Sequence, residues 1–286
     1  MISGKNVIIT GASRGLGAHI ARAMWKQGAQ LLMVARRETA LCLLQKELNL
    51  SGLPGQEAHI AVVDLKSPGA IEAIMDAASR VWKKINVLVN NAGILGPIGP
   101  AWKNDWEEWL DTLRVNLLAP VELSRACIPW MQKAGGGKII NISGGGATGP
   151  RPFFAAYAVA KTGVVRFTEI LAQEVKELNI QVNSIAPGSL NTDLLQTVLD
   201  AGPEKAGQKE YSLASKQAET GGADPRRAAD LCVYLASSAS DGVTGKLISA
   251  VWDPWEELSM HVPDLVDTDI YTLRRIIPKD RGKEWG

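Results

Sequence analysis

Short β-branched runs alternate with longer helical patterns along most of this chain, and that alternation restricts its fold more than any other feature. The runs occupy residues 6–10 (NVIIT), 30–35 (QLLMVA), 59–64 (HIAVVD), 86–90 (NVLVN), 138–143 (KIINIS), 180–187 (IQVNSIAP) and 246–249 (KLIS). Helical patterns fall near 15–27, 38–49, 68–83, 105–133, 154–178 and 226–237. Runs that are apolar on both faces and separated by helices require a parallel sheet covered on both sides. The fold class expected is therefore α/β: a single-domain doubly wound sheet of about seven strands. Residues 1–250 form that domain and 251–286 a C-terminal extension of it.

In such sheets ligands bind beyond the carboxyl ends of the strands, and this chain concentrates its glycines and polar residues there. The first strand runs directly into TGASRGLGAHIARAMWKQG, with Gly11, Gly15 and Gly17 where strand becomes helix. Glycines permit a tight turn and close backbone approach, and the free N–H groups and dipole of a helix start favour a pyrophosphate. A Rossmann-like dinucleotide site follows, although the spacing is G-x-x-x-G-x-G and not the commoner G-x-G-x-x-G.

Charge excludes some alternatives. A formal net charge of +1 leaves no basic field to collect a nucleic-acid backbone. The first apolar run is too short for a signal sequence or a membrane span, so no membrane role is expected. Cys42, Cys127 and Cys232 lack CxxC spacing and are odd in number, which fits a reducing cytoplasm and suggests no metal site.

Farther along, Tyr157 precedes Lys161 by four residues inside AAYAVAKTGVVRFTEILAQEVKEL. On a helix this places a phenol and an ammonium on one face, about one turn apart. A nearby cation favours the phenolate, so the pair could exchange a proton with a carbonyl or an alcohol.

Taken in order, TGASRGLG, NNAG at 90–93, Asn116, Ser143, Tyr157-x-x-x-Lys161 and PGSLNT at 187–192 resemble the short-chain dehydrogenase/reductase (SDR) family over roughly residues 3–250. The resemblance implies an oxidoreductase moving hydride between nicotinamide and a carbonyl or secondary alcohol. Its catalytic set would be Asn116, Ser143, Tyr157 and Lys161. Tyr157 would act as general acid/base, Ser143 would hold the substrate oxygen, Lys161 would lower the tyrosine pKa and bind the nicotinamide ribose, and Asn116 would support a proton relay. Asn116 could instead relieve a helix kink ahead of Pro120.

By the same resemblance the cofactor lies against Gly11, Ser13, Arg14, Gly15, Leu16 and Gly17. It continues past Asp64 and Leu65 at the adenine, Asn91, Ala92 and Gly93, then Tyr157 and Lys161, and finally Pro187, Gly188, Leu190 and Thr192 at the nicotinamide. For Asp64, capping the helix near 68 is the competing role, with Ser67 the better cap. Asn91, Ala92 and Gly93 could equally serve the sheet alone. An NAD-preferring member would carry an acid after the second strand, where this chain has Ala35, Arg36 and Arg37. Guanidinium groups bind a 2′-phosphate that a carboxylate would repel, and Arg14 adds a cation on the same side. NADP(H) is expected over NAD(H).

The substrate pocket is expected around Gly144, Gly145, Phe153 and Leu194, beneath a helical lid at 191–222 that ends in glycines. The partner is a small carbonyl or alcohol, with a bulky or apolar compound favoured. Assembly as a homodimer or homotetramer through helices 105–133 and 154–178 is expected by analogy. Trp102, Trp106 and Trp109 form a stripe for burial or a subunit contact. The tail departs from the family: VWDPWEEL and some thirty further residues replace the usual ending, suggesting an ordered extension near the pocket mouth or an interface. The alternative function is a nicotinamide-sensing regulator that uses this fold without turnover.

Overall fold

The computed structural model describes residues 1–285. Seven parallel strands form one sheet: β1 (Asn6–Thr10), β2 (Gln30–Ala35), β3 (Ala58–Val62), β4 (Val87–Asn90), β5 (Gly137–Ile142), β6 (Ile180–Ala186) and β7 (Leu247–Ser249). Their order is β3-β2-β1-β4-β5-β6-β7, so the direction of winding reverses between β1 and β4, and a crevice opens beyond their carboxyl ends. In β1, Val7, Ile8 and Ile9 are wholly buried, as a strand covered on both faces requires.

Helices α1 (Gly15–Lys26), α2 (Glu38–Leu50) and α9 (Pro225–Ala236) cover one face through Ile20, Met24, Leu41, Leu231 and Leu235. The other face lies under α3 (Ala70–Val81), α5 (Ala119–Lys133) and α6 (Ala155–Glu174), through Ile74, Leu123, Cys127, Met131 and Leu171. A smaller cluster of Leu95, Phe154, Tyr157, Val198, Ala206 and Ala214 joins α6 to α7 (Asp193–Ala206) and α8 (Gln208–Thr220). These last two helices make up the expected lid; α7 is kinked at Gly202, ahead of Pro203, and α8 ends at Gly221 and Gly222.

Two helices differ from their sequence patterns. The stretch from 105 divides into α4 (Trp106–Leu113), capped by Asp105, and α5, joined by a π-helical turn at Arg114–Leu118. A wider turn of this kind accommodates an inserted residue without breaking the helix. The next difference is in α3, which starts at Ala70 behind a left-handed Gly69 and not at Pro68. Ser67 therefore caps nothing by its side chain, and Asp64 closes a local turn by accepting from the Lys66 N–H.

Most of the tail packs against the β7 edge of the sheet. Leu247 of β7 donates its N–H to Tyr271 O, and the buried Lys246 ammonium donates to Thr268 O and Ile270 O. Glu169 of α6 accepts from the Leu273 N–H, and Trp255 lies over Tyr234 of α9. The Leu247 contact occupies a main-chain group that an edge strand would otherwise expose. Among the described residues none of the tail lines the crevice, but Val251 at its start lies against Gly188, which does. The tryptophan stripe is not buried within the chain: Trp102 is 83% and Trp106 63% exposed, with Trp106 stacked on Trp109.

Candidate active site

A cavity of about 670 Å³ occupies the crevice at the strand ends. The glycine loop enters it first, through Gly11, Ser13, Arg14, Gly15, Leu16 and Gly17. The start of α1 carries no side-chain cap, so its first amides are free to meet an anion. Gly17 explains the tightness of this corner: a Cβ there would stand 2.2 Å from Gly11 O and 2.6 Å from the Asn91 amide. That amide donates to Thr10 O and Gly11 O, while Thr10 Oγ1 accepts from the Asn91 and Ala92 N–H groups. Asn91 thus ties β4 to β1 under the loop, with Ala92 and Gly93 following on the cavity wall.

Arg36, Arg37, Asp64 and Leu65 line the cavity beside the loop. The charges of Arg36 and Arg37 act on Arg14, whose pKa is lowered by burial first and by these two neighbours next. Three guanidiniums therefore share one end of the cavity. Two have acidic partners that the sequence did not disclose. Arg36 lies 3.7 Å from Asp64, and Arg14 forms an ion pair with Asp193 at the start of α7.

Ser143, Gly144 and Gly145 follow β5 into the cavity, where Tyr157 and Lys161 of α6 meet them. Ser143 Oγ is buried without a hydrogen-bond partner among the described residues. Gly144 is required by contact, since a Cβ there would lie 2.2 Å from the Tyr157 hydroxyl. Lys161 is fully enclosed; its Nζ donates to Ile142 O at 2.8 Å and sits 5.7 Å from the centroid of the Tyr157 ring. Burial pulls its pKa down to about 8. Burial also pushes the Tyr157 phenol above its ordinary value, and the cation that opposes this is Arg151, not Lys161.

Pro187, Gly188, Leu190, Thr192 and Leu194 complete the wall after β6. Two of the anticipated residues lie outside the lining. Asn116 is wholly buried in the π-helical turn; its amide donates to Ile94 O and Thr112 O, and its Oδ1 accepts from the Ile94 N–H. It thereby fixes Ile94, which is itself a wall residue. Phe153 does not line the cavity, which corrects its assignment to the substrate. A left-handed backbone (φ 69°), strained for an aromatic residue, turns its ring against Gly207 between α7 and α8.

The sequence reading missed Arg151, Glu210, Leu213 and Gln217, which also line the cavity. Arg151 precedes Tyr157 by six residues, close enough to be noticed. Glu210 and Gln217 reach the site only because α8 folds over it, and no local spacing signals that. Among the described residues, no His, Cys, Asp and Glu cluster suited to a metal is found. No helix there is long and apolar enough to cross a membrane.

Crevice, glycine loop and the Ser143, Tyr157 and Lys161 group together define a dinucleotide-dependent oxidoreductase of the doubly wound class. Comparison with known proteins gives its family. Residues 5–202 match the short chain dehydrogenase family profile, and the chain belongs to that family. It is 32% identical over 247 residues to the 3-oxoacyl-[acyl-carrier-protein] reductase FabG of Vibrio cholerae, covering 86% of this chain and 96% of that one. The short chain dehydrogenase tazN of Aspergillus terreus is 29% identical over 279 residues, 96% of this chain and 58% of that one. Among solved structures, L-sorbose reductase from Gluconobacter frateurii, complexed with NADPH and L-sorbose, superimposes with a TM-score of 0.77 at 29% identity. That match covers 87% of this chain and 95% of the other.

Proposed function

We propose that this oxidoreductase uses NADP(H) to interconvert a carbonyl compound and its secondary alcohol, with Tyr157 as the general acid/base. The observation that carries the reading is the buried Ser143 hydroxyl, left without a partner among the described residues in the same cavity as Tyr157 and Lys161. A buried polar group without a partner costs stability, so a site that keeps one is suited to a ligand that supplies it.

The remaining residues fit a nicotinamide dinucleotide. The uncapped start of α1 would hold the pyrophosphate, Arg36 and Arg37 the 2′-phosphate, and Pro187, Gly188 and Thr192 the nicotinamide end. When bound, the nicotinamide supplies hydride to the carbonyl carbon, or takes it from the alcohol. Ser143 donates a hydrogen bond to the substrate oxygen, and Tyr157 delivers its proton to that oxygen as charge develops. In the reverse direction the tyrosinate removes the alcohol proton. Lys161, held through Ile142 O, stands one turn from Tyr157 on the same side of α6 and would hold the nicotinamide ribose. Asn116 acts through Ile94, whose main chain it holds at both its N–H and its C=O.

A reducing cytoplasmic setting goes with three free cysteines. Assembly into a homodimer or homotetramer through α5 and α6 belongs to the same reading. Leu118, Val159 and Ile170 are exposed on or beside these helices, and sedimentation of the purified chain checks it.

Oxidation of NADPH and of NADH against ketones, aldehydes and quinones tests the activity, with NADPH expected to be the better donor. Tyr157→Phe should lower kcat by roughly 10²–10⁴-fold while leaving NADPH affinity nearly intact. Undiminished turnover by that variant would remove Tyr157 from the chemistry.

A further inference from the structure

Opposite charges meet inside the cavity at a place the proton transfer does not use. Arg151, in the loop leading into α6, points its Nε and Nη2 at a single oxygen of Glu210 in α8, at 2.9 and 2.8 Å. Both side chains are largely shielded, 21% and 24% exposed, and both line the cavity. Phe154 fixes the guanidinium from below, 4.1 Å from carbon to ring centroid, and the Tyr157 ring centroid is 6.0 Å away. The pair therefore stands beside the reacting centre on a firm support.

Each member keeps a polar atom in reserve. Both contacts fall on Glu210 Oε2, so Glu210 Oε1 and Arg151 Nη1 have no hydrogen-bond partner among the described residues. Nη1 lies 3.5 Å from where a Cβ on Gly145 would stand, so it faces the glycine turn that follows Ser143. The reserve is thus one donor group, Nη1 with its two N–H bonds, and one acceptor atom, Oε1, and the ion pair has no net charge. A hydroxyl, which both donates and accepts, satisfies the two together. A carboxylate would meet the Glu210 charge, and an alkyl chain would leave both atoms unpaired in a shielded site.

We infer that Arg151 and Glu210 form a specificity-determining pair that recognises an uncharged hydroxyl on the carbonyl substrate. The enzyme then prefers hydroxy ketones to plain ketones and to oxo acids. This rests on the carbonyl-reductase reading above.

Three methyl ketones of equal chain length provide the test, compared by kcat/KM with NADPH: pentan-2-one, 5-hydroxypentan-2-one and 4-oxopentanoate. The hydroxy ketone should exceed each of the others by roughly tenfold or more. Arg151→Met should bring the ratio of hydroxy to plain ketone close to one. Glu210→Gln keeps a hydrogen-bond acceptor for Arg151 but removes the negative charge, and should raise the ratio of 4-oxopentanoate to hydroxy ketone by about tenfold. A pair that merely held α8 in place, or acted only on the Tyr157 pKa, would change all three rates together and leave these ratios fixed. Fixed ratios in both variants, or a wild-type preference for pentan-2-one or 4-oxopentanoate, overturn the inference alone. Failure to reduce any of the three ketones overturns the carbonyl-reductase reading together with it.

Discussion

The two ends of the cavity are built from different materials. At the phosphate end the wall is built from short contiguous motifs, residues 11–17, 36–37, 64–65 and 91–93, each at or just beyond a strand end. Sheet order fixes those positions, because the strand ends on either side of the β1/β4 reversal must share one crevice. At the substrate end the wall is side chains from α7 and α8, and its polar pair, Arg151 and Glu210, is joined across 59 residues of sequence. The main-chain corner at the first end can change only by disturbing the sheet, whereas the other end can change by substitution in two surface helices.

The boundary between these ends is the reacting centre, and its tightest contact is the place to break the comparison. Gly144→Ala would put a methyl group into the space of the Tyr157 hydroxyl, so the phenol must move. A displacement of about 1 Å in a reacting group costs on the order of 10²-fold in rate. We expect kcat to fall by that much for every ketone, with NADPH affinity retained. An unaltered kcat would show that Tyr157 has more freedom than its burial implies.

A smaller effect separates the phosphate end from everything else. Replacing Arg36 and Arg37 together by alanine should lower kcat/KM for NADPH by roughly ten- to a hundredfold, the range of a lost charge-assisted hydrogen bond. NADH should be little affected, and the ranking of ketones should not move. Arg14 is left out because its pairing with Asp193 also holds the start of α7. If NADPH and NADH declined equally, these guanidiniums would be solvated surface charges, and the cofactor preference would have to reside elsewhere.

The same contrast decides how much could be read from the sequence. Strands β1, β2, β4, β5, β6 and β7 lie within a residue of their apolar runs, because two-faced burial leaves an unmistakable composition. The glycine loop and the Tyr157 and Lys161 pair are local, so spacing alone put them on one turn and one helix face. Asn116 was legible as a polar residue at a helix irregularity, but not as the clamp on Ile94, which depends on a π-helical turn. Phe153 was misread because its left-handed backbone reverses the direction of its side chain, and no residue preference announces that. Glu210 could not be found at all: its role exists only after α7 bends at Gly202 and α8 folds back.

Lys161 carries the smallest expected effect, one of stability rather than rate. It is enclosed on α6, donates to Ile142 O, and has no ion-pair partner among the described residues. Its native pKa of about 8 lies below the ordinary lysine value of 10.5, because burial penalises the charged form. Between those two values the unfolded chain holds a proton that the native state has released, so stability rises with pH. Below pH 8 the native state must keep a buried ammonium, and the destabilisation is complete. Tyr157, whose phenol burial moves upward from 10, is present in both proteins, so its contribution cancels in the comparison with a Lys161 variant. Lys161→Met removes the titration, so the wild-type melting temperature should gain on that of the variant between pH 7 and pH 10, by roughly 5 °C. Parallel melting curves across this range would mean that the ammonium is solvated or paired in the native protein. The reacting centre would then be wetter than the enclosure of Lys161 implies, and the contrast between a sheet-fixed end and an adjustable one would have to be redrawn around water.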